Sequence, residues 1–174
     1  MPELPKRKQI RLKDYDYSQN GYYFITICTQ GRKCVLCEIV GAGFHARLFP
    51  NFHATPNVEL KHIGKEIQNT IQYINDNYNY VKIDNYIIMP NHIHLIIILQ
   101  NPQMGGHGNP PLQNVVGQLK SFTTKKYNNV LWQRGYYEHI IRNEQEYLKI
   151  CEYIENNPQK WEEDKYWTIY IMVD

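Results

Sequence analysis

Hydrophobic and polar positions along this chain sort it into strands, helices and loops before any chemistry is considered. The segment GYYFITICTQ (21–30) is dense in β-branched and aromatic residues, and KCVLCEIV (33–40) follows it across Gly31. Together they read as two partnered strands with a turn at the glycine. Residues 41–56 read as loop, with room for a short strand from Phe44 to Phe49. From Asn57 onward, Val58, Leu60, Ile63, Ile67, Ile71 and Ile74 form a stripe of helical period that ends near Asn77. VKIDNYII (81–88) and HIHLIIIL (92–99) then read as a hairpin, because Pro90 and Asn91 mark the turn between them.

The second hairpin strand places Ile93, Leu95, Ile97 and Leu99 on one face and His92, His94, Ile96 and Ile98 on the other. A strand apolar on both faces belongs in the middle of a covered sheet. NPQMGGHGNPP (101–111) has loop composition and is expected to be mobile. Residues 115–127 read as a helix with a basic exposed side, and LWQ and YYEHII as short strands. The segment 143–157 reads as a helix capped by Asn143, with Glu146 at the capping-box position and Pro158 as its stop. The order predicts an α+β fold in which helices pack on one face of a largely antiparallel sheet.

Composition fits one folded domain spanning 1–174: 43% of residues are hydrophobic and 13% aromatic. A net charge of +2 is small, but its distribution is uneven. Lys6, Arg7, Lys8, Arg11 and Lys13 make residues 1–20 a basic N-terminal arm, and Lys120, Lys125, Lys126, Arg134 and Arg142 face Glu138 alone across 112–142. Such a stripe serves a polyanion or is simply a solvated face. No signal-peptide core and no membrane-length apolar run is present, so a cytoplasmic protein with no membrane partner is expected. Cys34 and Cys37 form a CxxC pair without a second pair to complete a zinc site.

The chemistry centres on His92 and His94. Two residues apart on a strand, their side chains run parallel, roughly 6.5–7 Å apart at the backbone, and imidazoles at that spacing converge on one ion. On the last helix, Lys149, Tyr153 and Asn157 share a face. An amide oxygen completing the ligand set would hold a phenol one turn away beside the cation. Neutral ligands leave the cation's charge intact for polarising a phosphate oxygen. A phenol with an ordinary pKa near ~10 needs help to attack, from the cation or from Lys149. Spacing alone leaves two alternatives open: Tyr153 as a core aromatic, and Tyr73 with Asn77 as an equivalent pair on the first helix. The sequence has two serines, no GxSxG and no HExxH, which leaves other hydrolase classes without support.

MPNHIHLIII followed by WQRGYYEHIIRNEQEYLKICEYIENNPQKW resembles the REP-associated tyrosine transposases, within the HUH single-tyrosine transposase superfamily. DYDYSQNGYYFITICTQGRKCVLCEI and VVGQLKSFTTKKYN extend the resemblance over nearly the whole chain. It implies a ferredoxin-like α+β fold and one HUH-type catalytic domain. It further implies His92, His94 and Asn157 as ligands of a divalent metal, Mg²⁺ or Mn²⁺, and Tyr153 as the nucleophile. Tyr73 falls on a helix that the family does not use for chemistry. The implied substrate is single-stranded or hairpin DNA, cleaved and transferred through a 5′-phosphotyrosine link by a monomer or homodimer. Lys120, Lys125, Lys126, Arg134, Arg142 and Lys149 are then expected to contact DNA. Imidazole ligation suits Mn²⁺ at least as well as Mg²⁺. Two alternatives stand beside this: a metal-dependent nuclease that uses water, and a non-catalytic binding module for single-stranded or hairpin DNA.

Overall fold

The computed structural model describes residues 15–40, 57–100 and 112–163. The N-terminal arm up to residue 14, the segment 41–56 with its expected short strand, and the loop 101–111 lie outside the described residues. Six strands and three helices follow in the order β1 (Gly21–Cys28), β2 (Cys37–Val40), β3 (Asn57–Leu60), α1 (His62–Asn77), β4 (Val81–Met89), β5 (His92–Leu99), α2 (Leu112–Tyr127), β6 (Tyr137–Ile141) and α3 (Glu144–Asn156). Short 3-10 turns occupy Gln30–Arg32 and Pro158–Glu163.

The main sheet has the order β4-β5-β1-β6 and every neighbouring pair is antiparallel. With α1 between β1 and β4 and α2 between β5 and β6, this is the split βαβ arrangement of a ferredoxin-like α+β fold, as expected. Strand β5 is buried along its entire length because it is central and covered on both sides. Ile93, Leu95, Ile97 and Leu99 pack with Tyr23, Ile25 and Ile27 of β1 against Ile67, Ile71 and Ile74 of α1 and Val115, Val116 and Leu119 of α2. On the opposite face, Ile96 and Ile98 meet Ile154 of α3, with Phe24, Tyr147 and Ile150 around them. The one-face arrangement therefore holds for α1 and α2, while α3 covers the other side. The cause is the dual character of β5: its histidine-bearing face is as apolar beyond His94 as its other face, and it too needs a cover.

Two local expectations are corrected. Strand β2 pairs with β3 and not with β1, since both edges of β1 are taken by β5 and β6. Gly31, at φ 66°, and Arg32, at φ 55°, turn the chain out of β1's path. Val58 and Leu60 lie on β3, opposite Ile39 and Cys37, and the helix starts at His62. Their two-residue spacing fits a strand as well as the start of a helical stripe.

Gly64 is required by a close approach: a Cβ there would stand 2.2 Å from the Leu36 carbonyl oxygen. That carbonyl accepts from the Lys61 N–H (3.0 Å), while the Leu36 N–H donates to Pro90 O (3.1 Å). The helix start is thus tied directly to the turn that leads into His92. Asn75 of α1 fixes the bulge in β4, its amide donating to Ile83 O (3.0 Å) and accepting from Ile83 N–H (2.7 Å).

Candidate active site

Strand pairing explains how the two histidines are held. His94 lies opposite Thr26 and His92 opposite Cys28, all with side chains toward α3. His92 is wholly buried and His94 nearly so. The Nδ1 of His92 is 2.8 Å from Asn91 Oδ1, and an amide oxygen only accepts, so Nδ1 carries the proton. The Nε2 of His92 is left with its lone pair and lies 3.0 Å from Nε2 of His94. Thr26 Oγ1 is 2.8 Å from Nδ1 of His94; a hydroxyl both donates and accepts, so it supports either tautomer of that ring. With Nδ1–H donating to Thr26, both Nε2 lone pairs point at one locus. This is the outer-sphere arrangement that orients imidazole ligands of a metal.

Helix α3 brings the phenol to this locus. Asn143 caps it, its Oδ1 accepting from Glu146 N–H (2.8 Å). The Glu146 carboxylate accepts from Arg142 N–H (2.7 Å) and pairs with His139 of β6 (2.6 Å), fixing the helix start to the sheet. Those contacts hold its carboxyl below the usual range, the Arg142 N–H first and His139 second. Ile154 fills the interior, while Tyr153 beside it is 41% exposed and therefore does not serve as a core aromatic. Its hydroxyl lies 3.3 Å from Nε2 of His94. Phe24 stacks on the His94 ring (5.3 Å between centroids) and meets Tyr153 edge-on (6.0 Å), setting the separation of the two groups.

One turn on, Asn157 is buried and its Oδ1 has no hydrogen-bond partner. A buried orphan acceptor costs about 1–3 kcal/mol, and an oxygen ligand waiting for a cation is one such atom. Two imidazole nitrogens and one amide oxygen make a donor set that fits a divalent ion. Among the described residues no cluster of three His, Cys, Asp or Glu offers an alternative. The 3-10 turn after Asn157 lays Trp161 against His92, 6.1 Å between ring centroids. The competing pair is elsewhere: Tyr73 is half-exposed on α1 and packs on Phe122, across the sheet from the histidines.

The basic residues divide between the two faces. Lys120, Lys125 and Lys126 belong to α2, on the far side of the sheet from Tyr153. Lys120 donates to the Gln133 and Arg134 carbonyls (2.7 and 3.1 Å), and Lys126 pairs with Glu66 (3.8 Å). Arg134 is exposed and follows the Leu131–Gln133 segment, which bonds to β1 at its Cys28 end. Arg142 and Lys149 lie on the α3 side, Lys149 one turn before Tyr153. Thr26, Asn91, Phe24 and Trp161 were not singled out from the sequence. Only Asn91 carries a local signal, as the residue before His92; the others depend on strand register and on the path of the chain after α3.

No protein-family model matches the chain. An uncharacterized protein of Haemophilus influenzae is 35% identical over 180 residues, covering 91% of this chain and 92% of that one. The chain belongs to that protein's family. Among solved structures, a REP-associated tyrosine transposase bound to a REP hairpin superposes with a TM-score of 0.55 at 18% identity, over 87% of this chain and 73% of that one. This chain has the REP-associated tyrosine transposase fold, and at that identity the likeness is one of fold. No helix among the described residues is long and apolar enough to cross a membrane.

Proposed function

We propose that this protein is a metal-dependent enzyme that cleaves and transfers single-stranded DNA through a covalent 5′-phosphotyrosine link, on substrates that contain a hairpin. The observation that carries the reading is the Tyr153 hydroxyl 3.3 Å from Nε2 of His94, where the two imidazole nitrogens converge. His92 Nε2, His94 Nε2 and Asn157 Oδ1 would hold the cation, Mn²⁺ or Mg²⁺. When bound, it supplies a positive charge that polarises a phosphate oxygen and favours the phenolate.

The remaining work belongs to the chain's own side chains. Tyr153 Oη attacks phosphorus and gives up its proton to solvent, to which its half-exposed ring has access. The bond from phosphorus to the 3′ oxygen breaks, that oxygen takes a proton, and the 5′ phosphate stays on the tyrosine. A 3′ hydroxyl attacking the same phosphorus reverses the step and joins strands without ATP. Phe24 holds the ring in place, and Lys149 supplies positive charge on the approach side. Arg142 contributes electrostatic attraction along the strand's path, Arg134 adds to it from the segment bonded to β1, and Lys120, Lys125 and Lys126, on the opposite face, add only to the long-range attraction for a polyanion. Because His94 and Tyr153 meet within one chain, the arrangement favours a monomer or a homodimer in which each subunit completes its own site. On the same proposal residues 1–174 form one catalytic domain, with basic residues gathered in 1–20 and a Gly- and Pro-rich segment at 101–111.

The test is incubation with end-labelled single-stranded hairpin DNA in Mn²⁺, in Mg²⁺ and in chelator. Metal-dependent cleavage with a denaturant-resistant protein–DNA adduct is expected, stronger in Mn²⁺. Cleavage with no adduct points to a water-using nuclease, and equal hairpin binding in chelator with no cleavage points to a binding module.

A further inference from the structure

On the α3 side of the sheet, at the end away from the histidines, lies a cavity of about 650 Å³. Ile98 and Ile141 form its floor. Tyr22 and Tyr147 form a wall, edge to face at 5.7 Å between centroids, with Tyr22 39% exposed. Asp84 is engaged by Lys82 (2.5 Å) and by the Tyr147 hydroxyl (2.5 Å), so the polar rim is fixed in place. Gln100, Arg142, Asn143 and Glu144 complete that rim. An apolar floor, an aromatic wall, an amide that both donates and accepts, and the Arg142 cation at the edge suit a flat heterocycle joined to a phosphate.

The cavity and the catalytic locus lie on the same face of one strand. Ile98 is four residues beyond His94 on β5, about 13 Å at ~3.3 Å per residue. A single strand covers that distance in about four nucleotides when stacked at ~3.4 Å each, and in fewer when extended. We propose that this cavity receives one unpaired base of the substrate strand, two to four nucleotides from the bond that is cut. Tyr22 stacks on the base, Gln100 reads its edge, and Arg142 meets the adjoining phosphate. This rests on the reading of the protein as a single-stranded DNA enzyme, and it assigns Arg142 a place on the strand's path.

The experiment is an abasic scan. Hairpin oligonucleotides lacking one base at each position near the cut are titrated with wild type, Tyr22→Ala, Tyr22→Phe and Gln100→Ala by fluorescence anisotropy. For wild type, one position within four nucleotides of the cut should weaken binding about 5- to 150-fold. Tyr22→Ala should lose a comparable factor on intact DNA and become indifferent to the missing base at that position. Tyr22→Phe should behave as wild type, and Gln100→Ala, an exposed position, should show a smaller loss at the same place. A flat scan from a protein that still binds and cuts DNA overturns this inference alone. So do losses from Tyr22→Ala and the abasic site that multiply independently, or capture of free deoxynucleoside monophosphates with a flat scan. Failure to bind any single-stranded DNA overturns the functional reading together with it.

Discussion

Replacing Asn157 with leucine separates stability from function, because its buried, unpaired Oδ1 costs folding free energy that a bound cation would offset. The residue is 3% exposed, its Oδ1 is unpaired, and its backbone is helical (φ −59°, ψ −41°), so leucine fits without strain. The main-chain bonds at this position, Asn157 N–H to Ile154 O and Lys160 N–H to Asn157 O, are unaffected by the change. Removing a buried unsatisfied acceptor recovers about 1–3 kcal/mol. At ~2–4 °C per kcal/mol for a chain of this size, Tm in chelator should rise by roughly 2–12 °C. Added metal reverses the order. A ligand at one hundred times its Kd stabilises the native state by ~2.7 kcal/mol, which is about 5–11 °C for wild type, and Asn157→Leu should lose most of that gain. The assay is a pair of thermal melts, in chelator and in saturating Mn²⁺. A variant less stable than wild type in chelator, or one that gains as much as wild type from Mn²⁺, would refute the reasoning.

Other expectations follow from neighbouring contacts. Thr26→Val removes the hydroxyl that lies 2.8 Å from His94 Nδ1 and should lower Mn²⁺ affinity about 10–100-fold by calorimetric titration. Gly64→Ala should destabilise by about 1–3 kcal/mol in urea melts, because its Cβ meets the Leu36 carbonyl oxygen at 2.2 Å. Gly117→Ala has open space around it and should stabilise by ~0.4–1 kcal/mol; matching signs for the two glycines would contradict the packing described. The Asp84 carboxyl is held below its ordinary 3.8 by the Lys82 hydrogen bond and then by Tyr147. Its contribution is complete above the unfolded value and disappears as pH falls through the lower folded value. The stability gap between wild type and Asp84→Asn should therefore close on acidification, and a gap constant through the acid range would contradict that pairing.

Much of this was legible in the sequence where the signal is local. The two faces of β5 follow from alternation alone, and the caps and stop of α3 follow from Asn143, Glu146 and Pro158. The histidine pair and the shared helix face of Tyr153 and Asn157 are likewise matters of spacing. Partnership was not legible. Nothing local distinguishes β5 from β2 as the neighbour of β1, and the 3-10 turn at Gln30–Arg32 decides it. The same non-local register places Thr26 behind His94 and Phe24 between His94 and Tyr153. Tyr73 and Tyr153 share the same local spacing; the family resemblance separates them in the sequence, and in the structure the side of the sheet on which each helix packs does so.

The central claim is that the phenol of Tyr153 becomes joined to DNA, and peptide mapping of the adduct tests it most directly. Trypsin releases residues 150–160 as one peptide with a single tyrosine, Tyr153, and residues 66–82 as the peptide that carries Tyr73. After reaction with hairpin DNA in Mn²⁺ and nuclease trimming, mass spectrometry should find the nucleotide mass on the 150–160 peptide, and Tyr153→Phe should abolish it. Nucleotide on the 66–82 peptide, or efficient cleavage with every tyrosine unmodified, would contradict the account.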